Sequence, residues 1–310
     1  MYWSRRRFLQ CAALTGLAST TFTKNTHAAP RAFIDIHTHF GQQWSHRDPL
    51  SPEDLLRWMD TNHIEKAVVL PLLSPEAWDY VITPEYVLEK SKPHRDRLIP
   101  FCHIDPRTLY LNGLKPKVDM LKRYVDAGAK GFGEHKPGVA MDDPRNLDVF
   151  AACAEVGLPV LFHIDNDRNM DQPGLPGLAK ALESFPNLPF IGHANGFWAS
   201  ITGDATQAQF GEYPKGKVTP GGAIDTLMDR FPNLYGDLSA GSGANAILRD
   251  MDFGKEFLIR RADRLMFGTD YLMPNQPVPQ ISLYNEIDLP EDVQQKIFRG
   301  NALRVLGMGP

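Results

Sequence analysis

The chain has 310 residues, 43% hydrophobic and 23% charged, with 25 glycines and 25 prolines. This composition excludes a disordered, collagenous or coiled-coil chain. Net charge is −4, but the four basic residues within positions 1–28 have no acid among them, leaving 29 Lys and Arg against 37 Asp and Glu, or −8, for the rest. An acidic body without basic runs argues against nucleic acid or an anionic membrane as partner, and three cysteines without a C-x-x-C make no thiolate zinc site or disulfide framework.

The N-terminus comes first. Ser4-Arg5-Arg6-Arg7-Phe8-Leu9 precedes a weakly apolar stretch from Cys11 to about Phe22, then Thr26-His27-Ala28 before Ala29. A basic start, a short apolar middle and a small-residue exit make a secretory signal, and Arg5-Arg6 before Phe-Leu resembles the twin-arginine type. The middle is too short and polar to span a bilayer. The expectation is a cleaved signal over 1–28, no stable membrane anchor, and a periplasmic mature domain over 29–310.

Eight short apolar runs follow: Phe33–His37, Lys66–Leu70, Leu98–His103, Lys130–His135, Leu158–His163, Leu188–His193, Asn233–Leu238 and Arg264–Asp270. Most begin about 30 residues apart, the length of a strand, helix and two loops. Their Val, Ile, Leu and Phe content suits strands buried on both faces. Ser51-Pro52-Glu53-Asp54 is a helix start, with a capping Ser, Pro at the first position and an acid behind it. Ser74-Pro75-Glu76 repeats the device, and Asp143-Pro144 opens a helix that Gly157 can close. The count predicts a single-domain α/β fold, a (β/α)8 TIM barrel. No run is followed by a glycine-rich phosphate loop of the open doubly wound type.

Barrel enzymes place their chemistry at the C-terminal ends of strands. The first run ends His37-Thr38-His39, and alternation puts His37 and His39 on one face with Asp35 and Phe33. The fifth ends in His163, the sixth in His193 and the eighth in Asp270, each after apolar residues. His37, His39, His163 and Asp270 offer three imidazoles and a carboxylate, a set that suits Zn²⁺, with Mn²⁺ or Fe²⁺ as other fits, and leaves room for a water.

This pattern resembles the amidohydrolase superfamily, in the amidohydrolase-related branch that includes aminocarboxymuconate-semialdehyde decarboxylase. The closing segment Lys296–Leu306, with Asn301-Ala302, resembles that branch as well. The resemblance implies that His37, His39, His163 and Asp270 are metal ligands, that His193 positions water or polarises substrate, and that Asp270 doubles as the catalytic base. The fourth run departs from the decarboxylase pattern. It ends Glu134-His135-Lys136, with Glu134 and Lys136 on one face. Binuclear members of the superfamily have a bridging Lys or Glu there, so Glu134 is a candidate ligand, a partner of a ligand histidine, or a partner of Lys136, and one ion or two are both open.

Arg168, Lys136 and Trp198 are candidate substrate contacts, Trp44 and Trp198 candidate pocket walls, and 194–219 the expected specificity loop. The expected activity is metal-dependent hydrolysis of a small ester, lactone or amide. A metal-dependent non-oxidative decarboxylase of a small carboxylic acid is the alternative, and an exported, non-catalytic metal- or ligand-binding protein is a third reading. A small-molecule substrate is the expected partner, and a homo-oligomer is compatible with the sequence.

Overall fold

The structure is a computed structural model that describes residues 32–309; the expected signal over 1–28 lies outside them. Eight parallel strands alternate with helices: β1 (Phe33–Thr38), β2 (Ile64–Val69), β3 (Leu98–Pro100), β4 (Phe132–His135), β5 (Val160–His163), β6 (Phe190–His193), β7 (Leu234–Asp237) and β8 (Leu265–Met266). Ladders join β1-β2-β3 and β4 through β8 in chain order. Backbone hydrogen bonds bridge the two gaps. Cys102 N–H donates to Gly131 O and Gly133 N–H to Cys102 O beside β3 and β4. Ile36 N–H donates to Phe267 O, and Asp270 N–H to His37 O, beside β8 and β1. The order and the bridges are those of the expected (β/α)8 barrel.

Alternation along the strands makes two cores. Ile34, Ile36, Val68, Leu70, Ile99, Phe101, Leu161, Ile191, Tyr235 and Met266 fill the inside, joined by Ala302 and Leu303 of the last helix and by Leu306, which follows it. Phe33, Ala67, Val69, Phe132, Val160, Phe162, Phe190 and Leu234 belong to the larger core shared with the helices.

The helices between strands are α1 (Pro52–Thr61), α2 (Pro84–Ser91), α3 (Leu114–Ala127), α4 (Pro144–Val156), α5 (Pro176–Ser184), α6 (Ala194–Ala199), α7 (Ala223–Arg230), α8 (Ala240–Leu248) and α9 (Met251–Arg260). After β8 come α10 (Pro279–Glu286), α11 (Glu291–Gln295), a π-helical turn and α12 (Asn301–Val305). Ser51 caps α1 through Asp54 N–H, and Asp143 caps α4, which Gly157 ends at φ 74°. Asn301 donates its amide to the carbonyls of Ala262 and Leu265, tying α12 beneath β8.

Ser74-Pro75-Glu76 starts no helix. The segment is a turn, because the Glu76 carboxylate is taken by the Arg107 guanidinium (2.8 Å between Nη2 and Oε2) and Gly138 packs against it. The same cap-Pro-acid device at Thr83-Pro84-Glu85 starts α2 instead, with Thr83 accepting from Tyr86 N–H. Among the described residues no helix is long and apolar enough to cross a membrane.

Candidate metal centre

Simple alternation would turn His37, His39 and Glu134 outward, since Phe33 and Phe132 on the same parity face the helices. Both strands slip at that point. The β1–β2 ladder shifts register between Asp35 and Thr38, and the β4–β5 ladder between Phe132 and His135. Beyond the shifts the three side chains gather at the barrel mouth.

The protons on the imidazoles follow from their neighbours. His39 Nδ1 lies 2.9 Å from the carbonyl of Leu70, which can only accept, so Nδ1 donates. His37 Nδ1 lies 2.6 Å from Asp237 Oδ2 and donates likewise. In the neutral rings this leaves two bare Nε2 atoms facing each other at 3.1 Å. Glu134 Oε2 stands 3.8 and 3.6 Å from them, and Asp270 Oδ1 3.5 and 3.4 Å. Each carboxylate oxygen thus stands within 4 Å of both Nε2 atoms. Donors about 2.1 Å from a tetrahedral ion stand about 3.4 Å apart, so the separations between the two Nε2 atoms and each carboxylate are those of a divalent metal shell.

A second group shares Glu134. Asp165 Oδ2 lies 2.7 Å from His163 Nε2, and the same oxygen accepts from Arg168 Nη1 at 2.5 Å. His163 Nδ1 lies 2.7 Å from Glu134 Oε1 as well, so both nitrogens of this ring face carboxylates. The neutral ring has one N–H for these two contacts, and the other is met by a second proton or a cation. His193 Nδ1 is engaged by Asp237 Oδ2 (3.1 Å) and Ser239 Oγ (3.0 Å), leaving Nε2 3.9 Å from Glu134 Oε1. Glu134, His163 and His193 each offer an atom within 4.8 Å of the others. Glu134 thus turns one oxygen to each histidine group, while Lys136 donates to Oε2 at 2.8 Å and lies 5.0 Å from the Trp78 ring.

The electrostatics fit an anionic centre. Burial opposes charge on His37, yet the carboxylates of Asp270 and Asp237 hold its imidazole well above the usual range. Burial also opposes ionisation of Glu134, but Lys136 and His163 hold it well below the ordinary carboxylate range. Asp237 is held low against its burial by His37 and His193. Asp35 differs: burial outweighs its bonds to Thr269 and His37 and pushes it up to about 7. It clasps β1 to the end of β8 through Thr269 Oγ1 at 2.5 Å.

A cavity of about 350 Å³ opens over the cluster, lined by His163, His193 and Asp270, by Lys136, Asp165 and Arg168, and by Trp78, Tyr213 and Ser242 among others. The structure therefore brings His37, His39, Glu134, His163, His193 and Asp270 together, with Lys136 and Arg168 at the cavity wall. Trp198 is a correction. It is 2% exposed, donates Nε1–H to Asp237 O at 2.8 Å, and packs on Phe197 and Phe257 instead of lining the cavity. Trp78 takes the wall position, with Trp44 edge-on to it at 4.4 Å. The 194–219 segment does reach the cavity, through Ala194, Asn195, Gly211 and Tyr213. Sequence reasoning missed Asp165, although His163-Ile164-Asp165 carries the same one-face spacing as His37-Thr38-His39. Asp237, at the end of β7, bonds both His37 and His193.

A family model described as "Amidohydrolase" matches residues 34–308. An uncharacterised TIM-barrel protein of Bordetella bronchiseptica aligns at 19% identity over 89% of this chain and 99% of its own, TM-score 0.64. A probable 2-pyrone-4,6-dicarboxylic acid hydrolase of Acinetobacter baumannii aligns at 13% identity over 89% and 99%, TM-score 0.57. A dihydroxybenzoic acid decarboxylase of Polaromonas with bound manganese aligns at 16% over 89% and 97%, TM-score 0.54. No curated protein matches the chain.

Proposed function

Because the chain belongs to the amidohydrolase family, we propose that it is a metal-dependent hydrolase of a small ester, lactone or amide. In this reading His37, His39, Glu134 Oε2 and Asp270 would hold one divalent ion, and Glu134 Oε1, His163 and His193 a second. The observation that carries it is the orientation of Glu134, whose two oxygens face two separate sets of imidazole nitrogens. Zinc suits the imidazole-rich donors, and manganese suits the carboxylates.

Divalent ions there would supply Lewis acidity, polarising a substrate carbonyl and making water acidic near neutrality. The chain's own groups do the rest. Asp270, in reach of both Nε2 atoms and partly open to the cavity, takes a proton from the attacking water and returns it to the leaving group. Asp237 and Leu70 O keep protons on Nδ1 of His37 and His39, so that Nε2 stays bare. With an ion at Nδ1, Asp165 would hold the His163 proton on the opposite nitrogen. Lys136 fixes the Glu134 rotamer from one side.

Metal analysis of the loaded protein tests the centre. Two equivalents are expected, falling to one or fewer in Glu134→Gln. Turnover in ¹⁸O-labelled water, over a panel of esters, lactones and amides, tests the reaction. Label in the organic product supports hydrolysis; metal-dependent release of CO₂ without label replaces it with decarboxylation. The cations Lys136 and Arg168 at the cavity favour that second reading, since they suit a substrate carboxylate. The proposal includes export by the Arg5-Arg6 signal to the periplasm, which changing both arginines to lysine should block.

A further inference from the structure

Lys136 donates to Glu134 Oε2, one of the two oxygens that face the histidine groups, yet it lies outside the strand ladders. The last β4–β5 pair is His135 with Phe162, just past the register shift, and Lys136 follows it. One residue of the loop after β5 holds that segment. Asn169 gives its backbone N–H to Pro137 O at 2.9 Å and its side-chain N–H to His135 O at 2.6 Å. The carbonyls on either side of Lys136 are thus both bound to Asn169.

Asn169 suits the task. It is fully buried, and its backbone is left-handed at φ 41°, a conformation that asparagine adopts more readily than most residues with a Cβ. Its side-chain oxygen accepts from Asn146 Nδ2 at 2.9 Å, and Asn146 Nδ2 also donates to Ala140 O at 2.8 Å. Asn146 Oδ1 therefore accepts from His135 Nε2 at 2.9 Å, which leaves His135 Nδ1 to accept from His103 Nε2 at 3.0 Å. Asn169, Asn146, His135 and His103, all without exposure, form one directed row. Its amide orientations and ring protons follow from the Asn169 end, since His103 Nδ1 at the other end has no partner among the described residues. A buried polar row rigidifies what it holds when its bonds are made, and this one passes through His135, the residue between Glu134 and Lys136.

We propose that Asn169 is a positioning residue of the metal centre: by binding the carbonyls of His135 and Pro137 it places Lys136, and through Lys136 it holds Glu134 Oε2 toward His37 and His39. Asn169 is not among the residues that line the cavity, so it acts through its neighbours. The proposal rests on the hydrolase reading, in which Glu134 is a metal ligand.

The test measures zinc affinity by competition with a chromogenic chelator in wild type, Asn169→Asp, Asn169→Gly, Lys136→Met and the double variant Asn169→Asp with Lys136→Met. Asp keeps the size and tolerates the left-handed backbone but lacks the side-chain N–H, whereas Gly keeps the backbone and lacks the side chain. Each should weaken zinc about tenfold, the lower end of what loss of an outer-shell partner costs. In the Lys136→Met background, Asn169→Asp should change zinc affinity by less than about twofold, because its route to Glu134 is gone. An asparagine with a merely structural role would lower the melting temperature and leave zinc affinity unchanged, or weaken zinc equally in both backgrounds, and either result overturns the proposal. If wild type takes up no zinc, the hydrolase reading falls and this proposal with it. Zinc uptake by wild type with equal affinity in both Asn169 variants overturns this proposal alone.

Discussion

Asp237 is the residue on which the centre's histidines depend most. Replacing it by Asn keeps its volume but removes the charge that holds protons on Nδ1 of His37 (2.6 Å) and His193 (3.1 Å). An Asn amide can also turn its NH₂ to Nδ1, which drives the proton to Nε2, the atom that must stay bare to bind metal. The His37 contact is short and charge-assisted; the His193 contact is shared with Ser239 and is weaker. Removing carboxylate partners of ligand histidines typically costs 10- to 100-fold in metal affinity. With two histidines affected unequally, Asp237→Asn should fall in the upper half of that range, about 30- to 100-fold, or about 2 to 2.7 kcal/mol. Competition against a chromogenic chelator at fixed pH measures it directly. An affinity within twofold of wild type would refute the assignment of the Nδ1 protons, and with it the argument that Nε2 lone pairs converge.

Asp270→Asn keeps an oxygen toward the centre but cannot accept a proton, so kcat should drop by about 10²–10⁴ with metal largely retained; near-normal turnover removes Asp270 as the base. His163→Ala should lower bound metal by one equivalent in elemental analysis, and full occupancy would remove it as a ligand. Acid should destabilise the fold through the buried pair His103–His135 (3.0 Å). Burial, then the His135 charge, pushes His103 down to about 3, and burial pushes His135 down to about 4. The unfolded chain therefore binds more protons below its ordinary histidine pKa, and stability falls as pH drops from about 6.5 toward 3. His103 alone contributes about 2 kcal/mol of loss between pH 7 and pH 5. Urea midpoints of wild type and His103→Gln should converge on acidification, and parallel pH profiles would contradict this. Gly192→Ala should unfold the chain or cost about 1–3 kcal/mol, because the new Cβ would meet the Phe197 ring at 2.2 Å; a normal melting temperature would show that the ring has room to move.

The sequence made the barrel legible because strands buried on both faces read as apolar runs, and eight recur at the spacing of a strand-helix unit. His163, His193 and Asp270 were legible for a related reason: each is the polar residue at which an apolar run stops. His37, His39 and Glu134 were found by type and spacing, but their direction was hidden. Phe33 and Phe132 set a parity that turns all three outward, and only the register shifts in β1 and β4 reverse it. Trp198 misled because a tryptophan just past a strand end reads as a pocket wall, whereas its indole N–H is satisfied by Asp237 O in the core.

The backbone bonds beside β1 and β8 make the centre a measure of whether the ring is shut. His37 and Asp270 stand 233 positions apart, yet they are joined by a main-chain hydrogen bond of 2.8 Å and offer atoms to the same ligand group. A chain folded only as far as β7 would hold His37, His39 and Glu134 but lack the Asp270 carboxylate and the Asp35–Thr269 clasp. A cation that binds the complete shell more tightly than this open one acts as a rivet across the last seam. It stabilises the closed ring by RT ln(1 + [L]/Kd), about 2.7 kcal/mol at a hundredfold excess over Kd, and that stabilisation appears only after the final strand is in place. Metal should accordingly slow unfolding from the β8 edge, where amide exchange at Phe267 and Asp270 would slow most.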